Sequence, residues 1–194
     1  MSSVAQERLT PEEYLRRERV AETKSEYDDG FVYAMSGASP RHNLIGAGLI
    51  RALGNHLPPR CRIYTSDMRV RIFKPRRYYY PDASVVCGEP QYAEDQRDVL
   101  VNPLIVFEIL SESTAGLDRG RKFLGYQTIE SLQEYVLLSQ DEILIEHFRR
   151  DERQWVYTVA QGIDATLPLP AAECQLSLRE IYYQTDLLSS LYRS

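Results

Sequence analysis

Cysteine is scarce in this chain of 194 residues: Cys61, Cys87 and Cys174 are odd in number, far apart and contain no C-x-x-C pair. That spacing excludes a zinc knuckle, and reduced thiols in a cytosolic protein are expected. The three histidines, His42, His56 and His147, form no metal-binding spacing with one another. No run approaches the roughly 18 apolar residues that a membrane helix requires. The start, Met1-Ser2-Ser3-Val4-Ala5-Gln6-Glu7, is neither basic nor apolar, so no export signal, no membrane partner and a cytoplasmic location are expected. Acids outnumber bases, 28 against 23, for a net charge of -5. A surface that attracts nucleic acid everywhere is thereby excluded, but a local basic groove is not. There is no repeat, low-complexity tract or linker, and 1–194 suits one domain with a core large enough to need no disulfide or structural metal.

The elements that are present are well marked. Thr10-Pro11-Glu12-Glu13 carries a capping box and a proline at the first helical position, so a short helix is predicted to run to about Val20. Two β-prone runs flank Asp29-Gly30 between Ser25 and Met35, a hairpin signal. Ser39-Pro40 opens a second helix to about Leu57, where Gly46 and Gly48 permit close approach to a sheet. From Arg60 to Asp82 paired strands are expected, with Met68, Val70 and Ile72 on one face and Arg69, Arg71 and Phe73 turned to solvent or a ligand. Further strands are predicted at 83–87, around Glu108 and at 134–138. A helix from Ser113-Thr114 to Ile129 separates the last two and makes them parallel neighbours. A hairpin over 143–148 and 155–159, and a last helix capped by Ser177-Leu178-Arg179-Glu180, complete the chain. The class is α/β: a central mixed sheet flanked by helices, with extra hairpins near both ends.

One residue breaks the pattern. Glu108 stands inside Leu104-Ile105-Val106-Phe107-Glu108-Ile109-Leu110, where a buried strand should be wholly apolar. An unpaired buried charge costs several kcal/mol, roughly, so a cation, a lysine or a metal ion should sit beside it. Asp82 heads the preceding apolar strand, and two carboxylates on adjacent strands can share a divalent ion that keeps several waters. Lys122, on the returning helix, could reach the same place. Asp82 alone reads equally as a turn residue after Pro81, and Glu108 alone as a salt-bridged core acid. His42 reads as a capping or core histidine or, as the second choice, as a neighbour of the site, Glu134 as a structural residue at a sheet edge, and Tyr78 to Tyr80 as packing.

Four blocks in order carry a resemblance that covers nearly the whole chain: Tyr80-Pro81-Asp82-Ala83-Ser84-Val85-Val86-Cys87, Asn102-Pro103 to Ser111, Asp118-Arg119-Gly120-Arg121-Lys122-Phe123, and Ser131 to Val136. Together they resemble the Uma-two family of restriction-endonuclease-like proteins, in the PD-(D/E)XK nuclease superfamily. The resemblance implies that Asp82 and Glu108 are metal ligands, with the backbone carbonyl of Ile109 completing the set and Mg²⁺ or Mn²⁺ as cofactor. It also aligns Glu26 with an upstream acid often counted with the site. The superfamily usually carries its lysine two residues after the second acid, and here Leu110 occupies that place, so Lys122 is the expected replacement. Glu112 stands where a proline is common.

The implied activity is metal-assisted hydrolysis of phosphodiester bonds, in DNA, by a homodimer. A basic stretch supports a polyanionic substrate: Arg60, Arg62, Arg69, Arg71, Lys74, Arg76 and Arg77 stand against the single acid Asp67, with Arg119 and Arg121 beside Lys122. The same stretch reads equally as the solvated face of a strand pair. Two rival readings remain open: a nuclease-fold binding or regulatory module that no longer cleaves, associated with mobile elements, and hydrolysis of another phosphoester.

Overall fold

The computed structural model describes residues 8–189 except 36, 75, 94–96 and 112–114. Helix α1 (Pro11–Glu18) has the full capping box, with Thr10 Oγ1 accepting from the Glu13 amide and Glu13 accepting from the Thr10 amide. Strands β1 (Ser25–Asp28) and β2 (Phe31–Ala34) pair antiparallel about Asp29 (φ 48°) and Gly30 (φ 101°). Those two left-handed residues are what a twist-matched two-residue hairpin requires.

Helix α2 (Pro40–His56) is capped by Ser39, whose side chain accepts from the His42 amide. Its glycines serve different neighbours. Gly46 faces Ile109 of the sheet, whereas a Cβ on Gly48 would stand 2.0 Å from the carbonyl oxygen of Ile181. Close approach at Gly48 is therefore to helix α5 (Leu178–Ile181), not to the sheet.

The central sheet is six-stranded, in the order β11-β10-β9-β8-β6-β3. It comprises β3 (Cys61–Thr65), β6 (Ala83–Cys87), β8 (Ile105–Leu110), β9 (Glu134–Ser139), β10 (Leu144–Asp151) and β11 (Gln154–Gln161). Only β8 and β9 run parallel. Their crossover is α3 (Ala115–Leu117), a π-helical stretch Asp118–Lys122, and α4 (Phe123–Tyr126). The expected start at Ser113-Thr114 and the position Glu112 lie outside the described residues.

A second sheet has the order β2-β1-β5-β4-β7, with β4 (Arg69–Ile72), β5 (Arg77–Tyr79) and β7 (Val99–Leu100). The residues from Arg60 to Asp82 thus divide between two sheets: β3 pairs with β6, and β4 with β5 and β7. The hairpins expected as additions are integral to these sheets. β1 and β2 form one edge of the second sheet, and β10 and β11 one edge of the central sheet.

On one face of the central sheet α2, α5 and a small β12 (Thr166–Leu169)–β13 (Cys174–Ser177) hairpin bury Ile45, Leu49, Phe107, Val136 and Leu176. On the other, the crossover helix and the second sheet bury Val70, Ile72, Tyr79, Val106, Tyr126 and Tyr135. Alternation along β8 sends Phe107 and Ile109 to the first face and Glu108 to the second. Helix α5 forms after Ser177 without a hydrogen bond from that side chain, so the predicted cap is not made; α6 (Asp186–Ser189) follows.

The cysteine expectation needs correction. Cys61 and Cys87 stand directly opposite each other on β3 and β6 and are joined as a disulfide. Cys174 alone is free. Sequence distance conceals the pair because antiparallel pairing across 26 residues is a property of the sheet. Among the described residues no helix is long and apolar enough to cross a membrane.

Candidate active site

The β6–β8 ladder pairs Ala83 with Phe107, so one step further brings Asp82 beside Glu108. Glu108 is almost fully buried, and its Oε1 lies 3.4 Å from Lys122 Nζ. Tyr126, one turn along the crossover helix, donates its hydroxyl to the same oxygen at 3.2 Å. The π-helical stretch carries Lys122 inward, and such stretches often occur at functional positions. Lys122 Nζ also meets Glu26 Oε1 at 3.0 Å and Asp118 Oδ1 at 3.3 Å. Glu26 comes from β1 and accepts the Tyr80 amide at 3.2 Å. Three acids, only Asp118 of them local, thus converge on one ammonium.

Asp82 forms the more open side, its side chain 21% exposed. Its Oδ2 accepts the Ile109 amide at 2.7 Å, and its Oδ1 lies 3.4 Å from Nε2 of His42. Burial acts to lower the His42 pKa, but the Asp82 hydrogen bond and charge, a hydrogen bond with the Ile109 backbone and the charge of Asp118 outweigh it and raise the value. Two of the expected metal ligands, Asp82 and the Ile109 backbone, therefore meet at His42. Of the readings of His42, the cap and the site neighbour both hold: its amide joins the cap while its ring lies against Asp82.

Electrostatics show what is missing from the cluster. Burial pushes the Glu108 carboxyl well above its ordinary range; Lys122 opposes the shift, and Asp118, Asp82 and Glu26 add to it. Burial likewise raises Glu26 despite Lys122. Lys122 itself would be lowered by burial, but Glu108, Glu26 and Asp118 hold it well above the usual lysine value. The ammonium stays charged and cannot neutralise all its neighbours. Asp118 Oδ1 is buried without a hydrogen-bond partner, although the ammonium is 3.3 Å away. The charges are near, but the geometry leaves that oxygen unserved.

A divalent cation fits this chemistry, because four carboxylates, Glu26, Asp82, Glu108 and Asp118, face one ammonium and one imidazole. Among the described residues no three His, Cys, Asp or Glu side chains converge as a ready cage. An ion held by Asp82 and Glu108 would therefore take its other oxygens from a backbone carbonyl and water, the coordination hard divalent ions commonly accept.

The basic residues divide sharply. Arg69 is buried and pairs with Asp98, which also takes Arg19 at 2.9 Å. Arg77 is 11% exposed and binds Asp28 at 2.7 Å, as Arg121 does from the crossover helix. Neither Arg69 nor Arg77 is a solvent-facing cation, contrary to expectation. The reason is that β4 and β5 are inner strands of the second sheet, where Asp98 and Asp28 take up the two guanidinium groups. Arg119 is held by Glu146, and Arg71 lies 4.6 Å over the Phe73 ring. Lys74 and Arg76 are exposed, the latter 3.3 Å from Glu12. Tyr78, Tyr79 and Tyr80 are buried, as expected of packing residues.

Glu134 is structural, but it lies in the interior and not at a sheet edge. Its Oε2 is 2.7 Å from His147 Nε2, and its Oε1 accepts the Ala171 amide at 2.7 Å. His56 pairs with Glu180 at 2.9 Å. Sequence reasoning missed Asp118 and Tyr126, each four residues from Lys122 on the same helix, a spacing that brings side chains together.

Comparison with known proteins identifies the family and the fold. The family model Uma2, described as "Putative restriction endonuclease", matches residues 11–179. An uncharacterized protein of Synechocystis sp. is 38% identical over 161 residues, covering 82% of this chain and 91% of its own. A second from the same organism is 36% identical over 159 residues, covering 81% and 83%. The crystal structure of a putative nuclease belonging to DUF820 from Anabaena variabilis shares the fold, with a TM-score of 0.73 at 22% identity over 90% of this chain and 98% of that one. The family match over most of the chain, the two relatives and the shared nuclease fold converge: this chain belongs to the Uma2 family of restriction-endonuclease-like proteins.

Proposed function

We propose that the protein is a divalent-metal-dependent endonuclease that hydrolyses phosphodiester bonds in DNA. Asp82 and Glu108 hold Mg²⁺ or Mn²⁺ with the Ile109 carbonyl, and Glu26 takes part through Lys122. The supporting observation is the 3.4 Å approach of Lys122 Nζ to Glu108, which brings a lysine to the second acid although Leu110 occupies the usual lysine position. The chemistry supplied by a bound cation is a more acidic water and a neutralised phosphoryl oxygen.

The chain's own residues do the rest. Lys122, kept cationic by its acids, orients the attacking water or offsets charge developing on phosphate. Glu26 and Asp118 fix the ammonium, Tyr126 fixes Glu108, and His42 fixes Asp82. The partly exposed edge formed by Asp82 and His42 admits substrate, with Lys74 and Arg76 as phosphate contacts. Arg69 and Arg77 are taken up by Asp98 and Asp28 and not offered to phosphate, which keeps one alternative in view, a nuclease-fold module that regulates without cleaving.

Supercoiled plasmid incubated with Mg²⁺ or Mn²⁺ separates the two. Wild type is expected to nick it, and Asp82→Ala, Glu108→Ala and Lys122→Ala to lower the rate by about 10²-fold or more. Absence of metal-dependent nicking of DNA, or equal nicking by all variants, removes the catalytic proposal.

A further inference from the structure

We infer that the free edge of β11 is the surface through which two copies of this chain pair, joining their central sheets antiparallel. β11 ends the six-stranded sheet and, among the described residues, pairs only with β10. Its sequence, Gln154-Trp155-Val156-Tyr157-Thr158-Val159-Ala160-Gln161, contains no charge, proline or glycine. Edge strands normally carry such devices because an unpaired row of N–H and C=O groups recruits another strand. The other edges are protected by length or charge: β2 has four residues, β7 two, and β3 has five including Arg62.

The outward row can be identified. Gly162 donates its amide to Ile143, and Ile145, His147 and Arg149 pair with Ala160, Thr158 and Val156. Strand alternation then points the main-chain groups of Trp155, Tyr157, Val159 and Gln161 away from β10. An antiparallel partner must match outward residues to outward residues. The register that uses the whole strand sets Trp155 against Gln161, Tyr157 against Val159 and Thr158 against itself on the two-fold axis.

Two observations select a second copy as the occupant. Tyr157 and Val159, exposed at 52% and 46%, become each other's cross-strand partners twice over, an aromatic with a β-branched residue. Finally, a two-fold axis normal to the sheet keeps both copies' Glu108 on the same face, towards which Trp155 also packs. The inference rests on strand geometry and holds whether or not the chain cleaves.

Sedimentation equilibrium of the full chain should give twice 22.4 kDa, and Val159→Lys should return it to one chain while leaving its circular dichroism unchanged. In a Cys174→Ser background, Thr158→Cys should form a disulfide-linked dimer on mild oxidation, because a self-paired non-hydrogen-bonded position has suitable Cα spacing. Val156→Cys, opposite Ala160 of the second copy, should not. A monomeric wild type, a folded Val159→Lys dimer, or equal cross-linking at 156 and 158 would overturn the pairing. Should Val159→Lys fail to fold, the two cysteine variants decide.

Discussion

Glu108 and Glu134 are both buried, on adjacent parallel strands, and point to opposite faces of one sheet. Glu134 has one partner per oxygen, each at 2.7 Å: the His147 ring and the Ala171 amide. It holds the 3₁₀ turn Pro170–Ala172 against the sheet. Glu108 has longer contacts, 3.4 Å to Lys122, which it shares with Glu26 and Asp118, and 3.2 Å to Tyr126. A buried carboxylate with matched partners is a fastener. One among surplus acids is held at a cost that stability does not explain, which is the ordinary condition of a functional group.

The largest test of this contrast is Lys122→Met. It leaves Glu26, Glu108 and Asp118 buried without a cation, so urea denaturation should show a loss of about 3–5 kcal/mol. A loss below about 1 kcal/mol would mean that the acids already share protons and that Lys122 holds nothing together.

Next is Glu134→Ala, which strands the His147 ring and the Ala171 amide; a loss of roughly 2 kcal/mol is expected. Metal-dependent nicking should survive in the folded fraction, because the pair lies on the other face. Cleavage lost in step with that of Glu108→Ala would break the distinction between the two acids.

The smallest effect carries the sharpest sign. Glu108→Gln should leave stability at neutral pH unchanged or slightly higher, while abolishing cleavage. Burial raises the folded pKa of Glu108 above its unfolded value, 4.5, so the folded state binds the proton more tightly. Its contribution to stability is full below the unfolded pKa and is lost as pH rises towards the folded one. Thermal melts of metal-free wild type should therefore lose this stability above pH 4.5, and Glu108→Gln should lack that component. Identical pH profiles would show that Glu108 bears no raised pKa.

Much of this was legible in the chain. The capping box at Thr10, the Asp29-Gly30 turn and the parallel β8–β9 crossover follow from local chemistry and period, because caps and turns are decided within a few residues. Asp82, Glu108 and Lys122 were legible because a charge inside an apolar run demands a partner. The disulfide and the ion pairs that hold Arg69 and Arg77 were not, since each depends on which strand lies beside which.

Sequence alone determined the family, most of the strands and helices though not the β12–β13 hairpin, and that Glu108 needed company. Only the tertiary structure decided the company: Glu26 from a hairpin, Asp118 and Tyr126 from the crossover, and His42 from α2. Apolar period records which side of an element is buried, but convergence of side chains up to 96 positions apart is set by how sheets and helices pack.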